Sequence, residues 1–183
     1  MAFTIEPLVA KELLRLNLGC GHDIRPGWVN VDKFPARADV VQANFPQLPF
    51  ADNLANEVVL SHVLEHFGYE DGYTLTSEIQ RVLAPGGVAH IEVPDVAWCM
   101  TQFLNAPEAD TYTNPSGDYS INHRWGLWAQ SIWGDQHNDG LFHKWGYTEN
   151  RLMNLLKAVG FSGVNIEFLH SHGVQCLAAT ATK

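Results

Sequence analysis

Basic residues are scarce in this chain. Lys and Arg number 11 against 20 Asp and Glu, giving a formal charge of −9 and an isoelectric point near 5.3. Nucleic acids and anionic membrane surfaces are held by clustered Lys and Arg, so neither is expected as a partner. Cysteine is also scarce. The 3 Cys, at positions 20, 99 and 176, are odd in number and far apart, which excludes a disulfide framework and a CxxC metal site. No apolar run approaches the roughly 18 to 20 residues of a membrane span. Glu6, Lys11 and Glu12 interrupt the apolar start, so no signal pattern is expected. Repeats and low-complexity tracts are lacking too. These exclusions leave a reduced, soluble, cytoplasmic protein. At 183 residues, with 46% hydrophobic and 17% charged positions, a single domain spanning 1–183 is expected.

Short apolar runs alternate with helical patterns, which predicts an α/β protein with a mostly parallel sheet. The strands are expected at Leu14 to Leu18, Trp28 to Val31, Asp39 to Gln42, Glu57 to Ser61, Val88 to Val93, Val164 to Leu169 and Val174 to Ala181. Leu75, Ile79, Val82 and Leu83 make one apolar stripe, so a helix lies between the fourth and fifth strands. Asp71 is expected to cap it and Pro85-Gly86-Gly87 to stop it. A second helix runs from about Thr148 on Leu152, Leu155, Leu156 and Val159, with Gly160 as its C′ residue. Residues 95–147 differ. This long stretch is turn-rich and carries Trp98, Trp125, Trp128, Trp133 and Trp145. It reads as an aromatic insertion, a lid or substrate wall, since long inserted segments tend to be functional, while its five tryptophans equally suit a satellite core under a long loop.

The stretch SHVLEHF, residues 61–67, contains H-x-x-E-H, the spacing of an inverted zinc-hydrolase helix. The β-branched run EVVLS stands directly before it and Gly68 directly after, so His62 belongs to a strand end and a zinc helix has no room. No metal site is expected. In open α/β sheets ligands bind beyond the carboxyl ends of the strands, so the other strand ends matter. The first carries LNLGCGHD, where Gly19 and Gly21 permit a sharp turn and close approach of a ligand. The second ends at Asp32, a carboxylate suited to both hydroxyls of a ribose. The third leads to Asn44 and Phe45, which suit an adenine edge, and the fourth ends at Ser61 and His62.

LNLGCG, PGWVNVD, LPFADN, SHVLEHF and E-x-x-RVL-x-PGG together resemble the class I S-adenosylmethionine-dependent methyltransferases, in particular a small bacterial group. The resemblance runs from about Leu14 to Asp95 and continues more weakly from His143 to Phe161. It implies a Rossmann-like seven-stranded sheet in the order 3-2-1-4-5-7-6, with strand seven antiparallel. It also implies S-adenosyl-L-methionine as cofactor and S-adenosyl-L-homocysteine as product. Gly19, Cys20 and Gly21 would pass under the methionine and ribose, Asp32 would hold the ribose, Asn44 and Phe45 the adenine, and Ser61 and His62 would border the methionine. Asn17 stands where the family has an acidic residue, Asn44 where a carboxylate is common, and Asp23 where a third glycine is usual. Gly21 and Asp32 are only 11 apart, so the first crossover helix is expected to shrink to a turn. The open site so formed would be closed by residues 3–13. A dinucleotide site fits worse, because G-x-G-x-x-G and an acid about 20 residues on are both missing.

The function implied is methyl transfer to a small molecule or saccharide, on oxygen in preference to nitrogen. Methyl transfer is an in-line displacement in which the protein aligns the partners and excludes water. A histidine near an acceptor hydroxyl would help at neutral pH. The candidates are His66 and His143, then Asp95 and His123; His22, His90, His170 and His172 read as structural or solvated. Two alternatives stand beside this. A non-catalytic cofactor-binding scaffold predicts cofactor binding without turnover, and a zinc hydrolase using HVLEH predicts metal that survives dialysis. The acceptor, the atom methylated and the oligomeric state stay open.

Overall fold

The computed structural model describes residues 14–35, 37–106, 124–136 and 140–183. Its strands are β1 (Leu14–Leu18), β2 (Val29–Asp32), β3 (Val41–Gln42), β4 (Ala55–Ser61), β5 (Leu83–Pro94), β6 (Gly163–Ser171) and β7 (Val174–Thr182). The helices are α1 (Tyr69–Val82), α2 (Val96–Asn105), α3 (Arg124–Trp133) and α4 (Glu149–Ala158), with a 3-10 turn at Leu64–His66. The strands form one sheet in the order β3-β2-β1-β4-β5-β7-β6. β7 runs antiparallel to β5 and β6, and the other pairings are parallel. This is the order the resemblance implies.

Local chemistry explains the elements. In β4, Val58, Val59 and Leu60 are buried between β1 and β5, and such two-sided burial is why these three read as an apolar run. Residues 19–28, between β1 and β2, form turns and bends with no helical residue. α1 crosses from β4 to β5 and buries Leu75, Ile79 and Val82. Gly68, not Asp71, is its N-cap; Asp71 lies in the first turn, where the helix dipole favours its charge. α1 ends at Val82 and β5 starts at once, earlier than Val88, because Leu83 pairs with Ala55. A register shift after Ala55 and a left-handed Gly86 (φ 79°) absorb Pro85 and the glycines within the strand's span. In α4 the Thr148 hydroxyl accepts from Arg151 N–H, and Leu152, Leu155 and Leu156 face the core.

The described part of 95–147 is more helical than its composition suggests. α2 is capped by Asp95, whose side chain accepts from the Ala97 and Trp98 N–H groups. Together α2 and α3 enclose a second apolar cluster of Val96, Cys99, Leu127, Ile132, Val174 and Cys176, with Trp98 and Trp128 packed on it. These two tryptophans are satellite core. Among the described residues no helix is long and apolar enough to cross a membrane.

Candidate functional site

The ends of β1, β2 and β4 are locked together by backbone and short side chains. Gly19 (φ 66°) and Gly21 (φ 49°) take the left-handed conformation. A Cβ on Gly19 would collide with the γ-methyls of Val63, so the glycine turn and the SHVLEH segment touch. Gly19 and Cys20 N–H groups donate to Val31 O at 2.8 and 3.1 Å. The Asp32 carboxylate accepts from Gly21 N–H (2.8 Å) through one oxygen and from Phe34 N–H (2.8 Å) through the other. It keeps lone pairs for a further donor. Asn17 is buried, and its amide is spent on Asp23 O (2.7 Å) and Asn30 Oδ1 (3.0 Å), so it braces the loop from behind. Asn44 is exposed beside a half-buried Phe45. The loop that follows is anchored by Glu78, which accepts from Leu48 N–H (2.9 Å), and by Arg81, which donates to the carbonyls of Leu48 and Phe50. These are the Glu and Arg of E-x-x-RVL.

Beyond β4 and β5 lies a cavity of about 200 Å³, into which His62, Glu65, His66, His143 and His172 face. His62 has a left-handed backbone (φ 52°). Its ring sits between two carboxylates, Nδ1 3.3 Å from Glu65 and Nε2 3.1 Å from Glu92. Burial pulls its pKa down, but contacts with Cys176, Glu65 and Glu92 outweigh that and push it up to about 12. Glu65 is 2% exposed. Burial favours its neutral form, but the charged His62 beside it wins and holds the carboxyl below its ordinary range. The Glu65 carbonyl accepts from Lys144 N–H (2.8 Å) and Trp145 N–H (3.2 Å), which draws residues 143–145 over the 3-10 turn. Gly134 (φ 84°) admits this segment, since a Cβ there would strike the Leu141 and His143 backbone. His143 therefore stacks edge-on against His66, ring centroids 4.8 Å apart. Burial lowers the His143 pKa.

Residues 9–91 match the family model of a methyltransferase domain. That match spans a little under half of the chain, and the sheet order is the one that the resemblance to class I methyltransferases implies. No curated protein matches its sequence. Solved structures share the fold at low identity. One is the 1,6-didemethyltoxoflavin-N1-methyltransferase of Burkholderia thailandensis, solved with 1,6-didemethyltoxoflavin and S-adenosylhomocysteine bound. It is 17% identical, covering 93% of this chain and 70% of that one, with a TM-score of 0.58. Another is an S-adenosylmethionine-dependent methyltransferase of Mesorhizobium loti, 16% identical over 93% of this chain and 91% of that one, TM-score 0.57. A third, from Archaeoglobus fulgidus, is 17% identical over 94% and 87%, TM-score 0.57.

The expected site residues divide in two. Gly19, Cys20, Gly21, Asp32, Asn44 and Phe45 gather at the ends of β1 to β3, and Ser61 closes β4 with its hydroxyl 3.3 Å from Glu92. The His62 ring reaches Glu92 on β5 and lines the cavity. His66 and His143 are brought together; Asp95 is not with them. Its carboxylate caps α2 and accepts from Gln175 (2.9 Å), which makes it a structural group. His123 and segment 3–13 lie outside the described residues. Sequence reasoning missed His172, read as structural or solvated, whose ring meets His62 edge-on at 4.7 Å. The missed signal was topological. With β7 antiparallel to β5, Pro94 pairs with Cys176, so the turn before β7 must sit at the carboxyl end of β5.

Proposed function

We propose that this methyltransferase moves the methyl group of S-adenosylmethionine to a small molecule or saccharide, to oxygen in preference to nitrogen. The whole chain acts as one domain, with residues 95–147 as its substrate side. The cofactor lies over Gly19, Cys20 and Gly21, with its ribose on Asp32, its adenine at Asn44 and Phe45, and its methionine beside Ser61. The acceptor enters the cavity, where His66 and His143 activate its oxygen. The new C–O bond would form as the C–S bond breaks, the oxygen's proton would pass to water, and neutral S-adenosylhomocysteine would leave. Protein groups contribute alignment and exclusion of water.

One observation carries the reading: His66 and His143 share a cavity at the carboxyl ends of β4 and β5, directly past the Val63 that packs on the glycine turn. Ligands of open α/β sheets bind at this edge, where strand order reverses between β1 and β4. Segment 143–147 also carries Trp145 and Tyr147 into a neighbouring cavity with Tyr69 and Tyr73, a surface suited to a sugar or aromatic ring. A small acceptor agrees with the small substrate named for the Burkholderia neighbour, whose N1 specificity keeps nitrogen as the second reading. The test is transfer of labelled methyl from S-adenosylmethionine to a panel of saccharides, phenols and amines. Label on hydroxylated acceptors is expected. Label on amines alone contradicts the oxygen preference, and binding without transfer to any acceptor favours a scaffold.

A further inference from the structure

Glu65 poses a problem that methyl transfer leaves unsolved. Its side chain is 2% exposed, yet among the described residues neither carboxylate oxygen has a hydrogen-bond partner. The contact with His62 at 3.3 Å is an ion pair whose alignment is too poor for a hydrogen bond. A buried carboxylate needs more than that. Two imidazoles stand beside it with their tautomers set. His66 Nδ1 lies 3.1 Å from Phe142 O and His143 Nδ1 3.0 Å from Ser131 O. A carbonyl only accepts, so each Nδ1 carries a proton, and in the neutral ring each Nε2 then keeps its lone pair. Metal-binding histidines are oriented in this way, with the second nitrogen donating to a carbonyl. One ligand atom from each of Glu65, His66 and His143 lies within 4.8 Å of the others.

We propose that Glu65, His66 and His143 bind a divalent transition-metal ion of the zinc type. Two imidazoles and a carboxylate form a donor set of catalytic zinc, which keeps a position open for water or substrate. Bonds of about 2.1 Å place tetrahedral ligands about 3.4 Å apart, so side-chain rotation within the cavity closes the set. This is not the H-x-x-E-H arrangement, because both His62 nitrogens are engaged by Glu65 and Glu92. The open position faces the cavity. Its use rests on the methyltransferase reading, but the binding does not. An acceptor hydroxyl on the ion has its pKa lowered and loses its proton to water. The oxygen then attacks the methyl carbon as the C–S bond breaks.

The experiment uses the metal-stripped full chain, titrated calorimetrically with zinc chloride and, separately, with S-adenosylhomocysteine. One equivalent of zinc that survives dialysis is expected, with a tetrahedral cobalt spectrum on substitution. Glu65→Gln and His143→Ala should each weaken zinc by more than about 100-fold, beyond the 10–100-fold cost of losing an outer partner. His66→Ala should do the same from a partly exposed position, and so keeps the test alive if a buried variant unfolds. His22→Ala, at an exposed position, should change nothing. Failure to bind zinc, or binding that all three variants retain, overturns the site. If S-adenosylhomocysteine still binds, the methyltransferase reading survives that failure. Zinc binding without S-adenosylhomocysteine binding supports the metal site and overturns the cofactor site instead.

Discussion

All but Ser61 of the residues proposed to hold the cofactor come from one stretch, Gly19 to Phe45, at the ends of β1 to β3. The cavity beyond β4 and β5 draws instead on residues within 62–66, 127–135, 141–143 and 172–174, and on Pro94. The first region is held by backbone: Val31 O receives two N–H groups, and the Asp32 carboxylate receives two more. The second is held by side chains reaching across the fold, such as His66 to Phe142 O, 76 residues away in sequence. A backbone-built site fails when a turn fails. A side-chain cluster can lose one member and leave the rest of the fold standing. The two regions should therefore respond differently to substitution.

The largest effect is expected at the joint between them. Gly19→Ala puts a Cβ into Val63 and forces a left-handed alanine, costing about 3 kcal/mol of stability by strain and overpacking. Denaturant unfolding should show it, with cofactor binding lost too. His66→Ala should lower kcat about 100-fold, the low end for such groups, and leave S-adenosylhomocysteine affinity within about twofold. A loss of affinity would move His66 into the cofactor site and erase the difference between the two regions. Asp32→Ala should do the reverse, weakening S-adenosylhomocysteine by about 2 kcal/mol while the fold persists. Glu78→Ala should cost about 1.5 kcal/mol in urea titration by freeing the loop at Leu48. Its hydrogen bond to Arg81 holds the Glu78 pKa below 4.5. The stability it gives is thus complete above pH 4.5 and lost as pH falls through the lower folded value. Glu78→Gln should flatten that acid limb.

The same contrast explains what could be read from the sequence. Gly19, Gly21 and Asp32 are legible because a left-handed turn and a strand-end carboxylate leave local marks. β1 and β4 are legible because central parallel strands buried on both faces read as apolar runs. The helices α2 and α3 were hidden, since tryptophans that pack as satellite core look like a substrate wall in composition alone. Asp95 reads as a candidate acid and is a helix cap. Glu65 was visible inside SHVLEHF, but its partners were not. His143 reaches it only because the Glu65 carbonyl captures residues 144 and 145. His172 reaches the cavity only through the antiparallel pairing of β7.

The cofactor site is tested most directly by calorimetric titration of the wild-type chain and Asp32→Ala with S-adenosylhomocysteine. Micromolar binding to the wild type is expected, weakened about 30-fold by the substitution (about 2 kcal/mol). Equal affinities in two folded proteins, or no binding to either, would contradict the placement of the ribose on Asp32 and of the cofactor over the glycine turn.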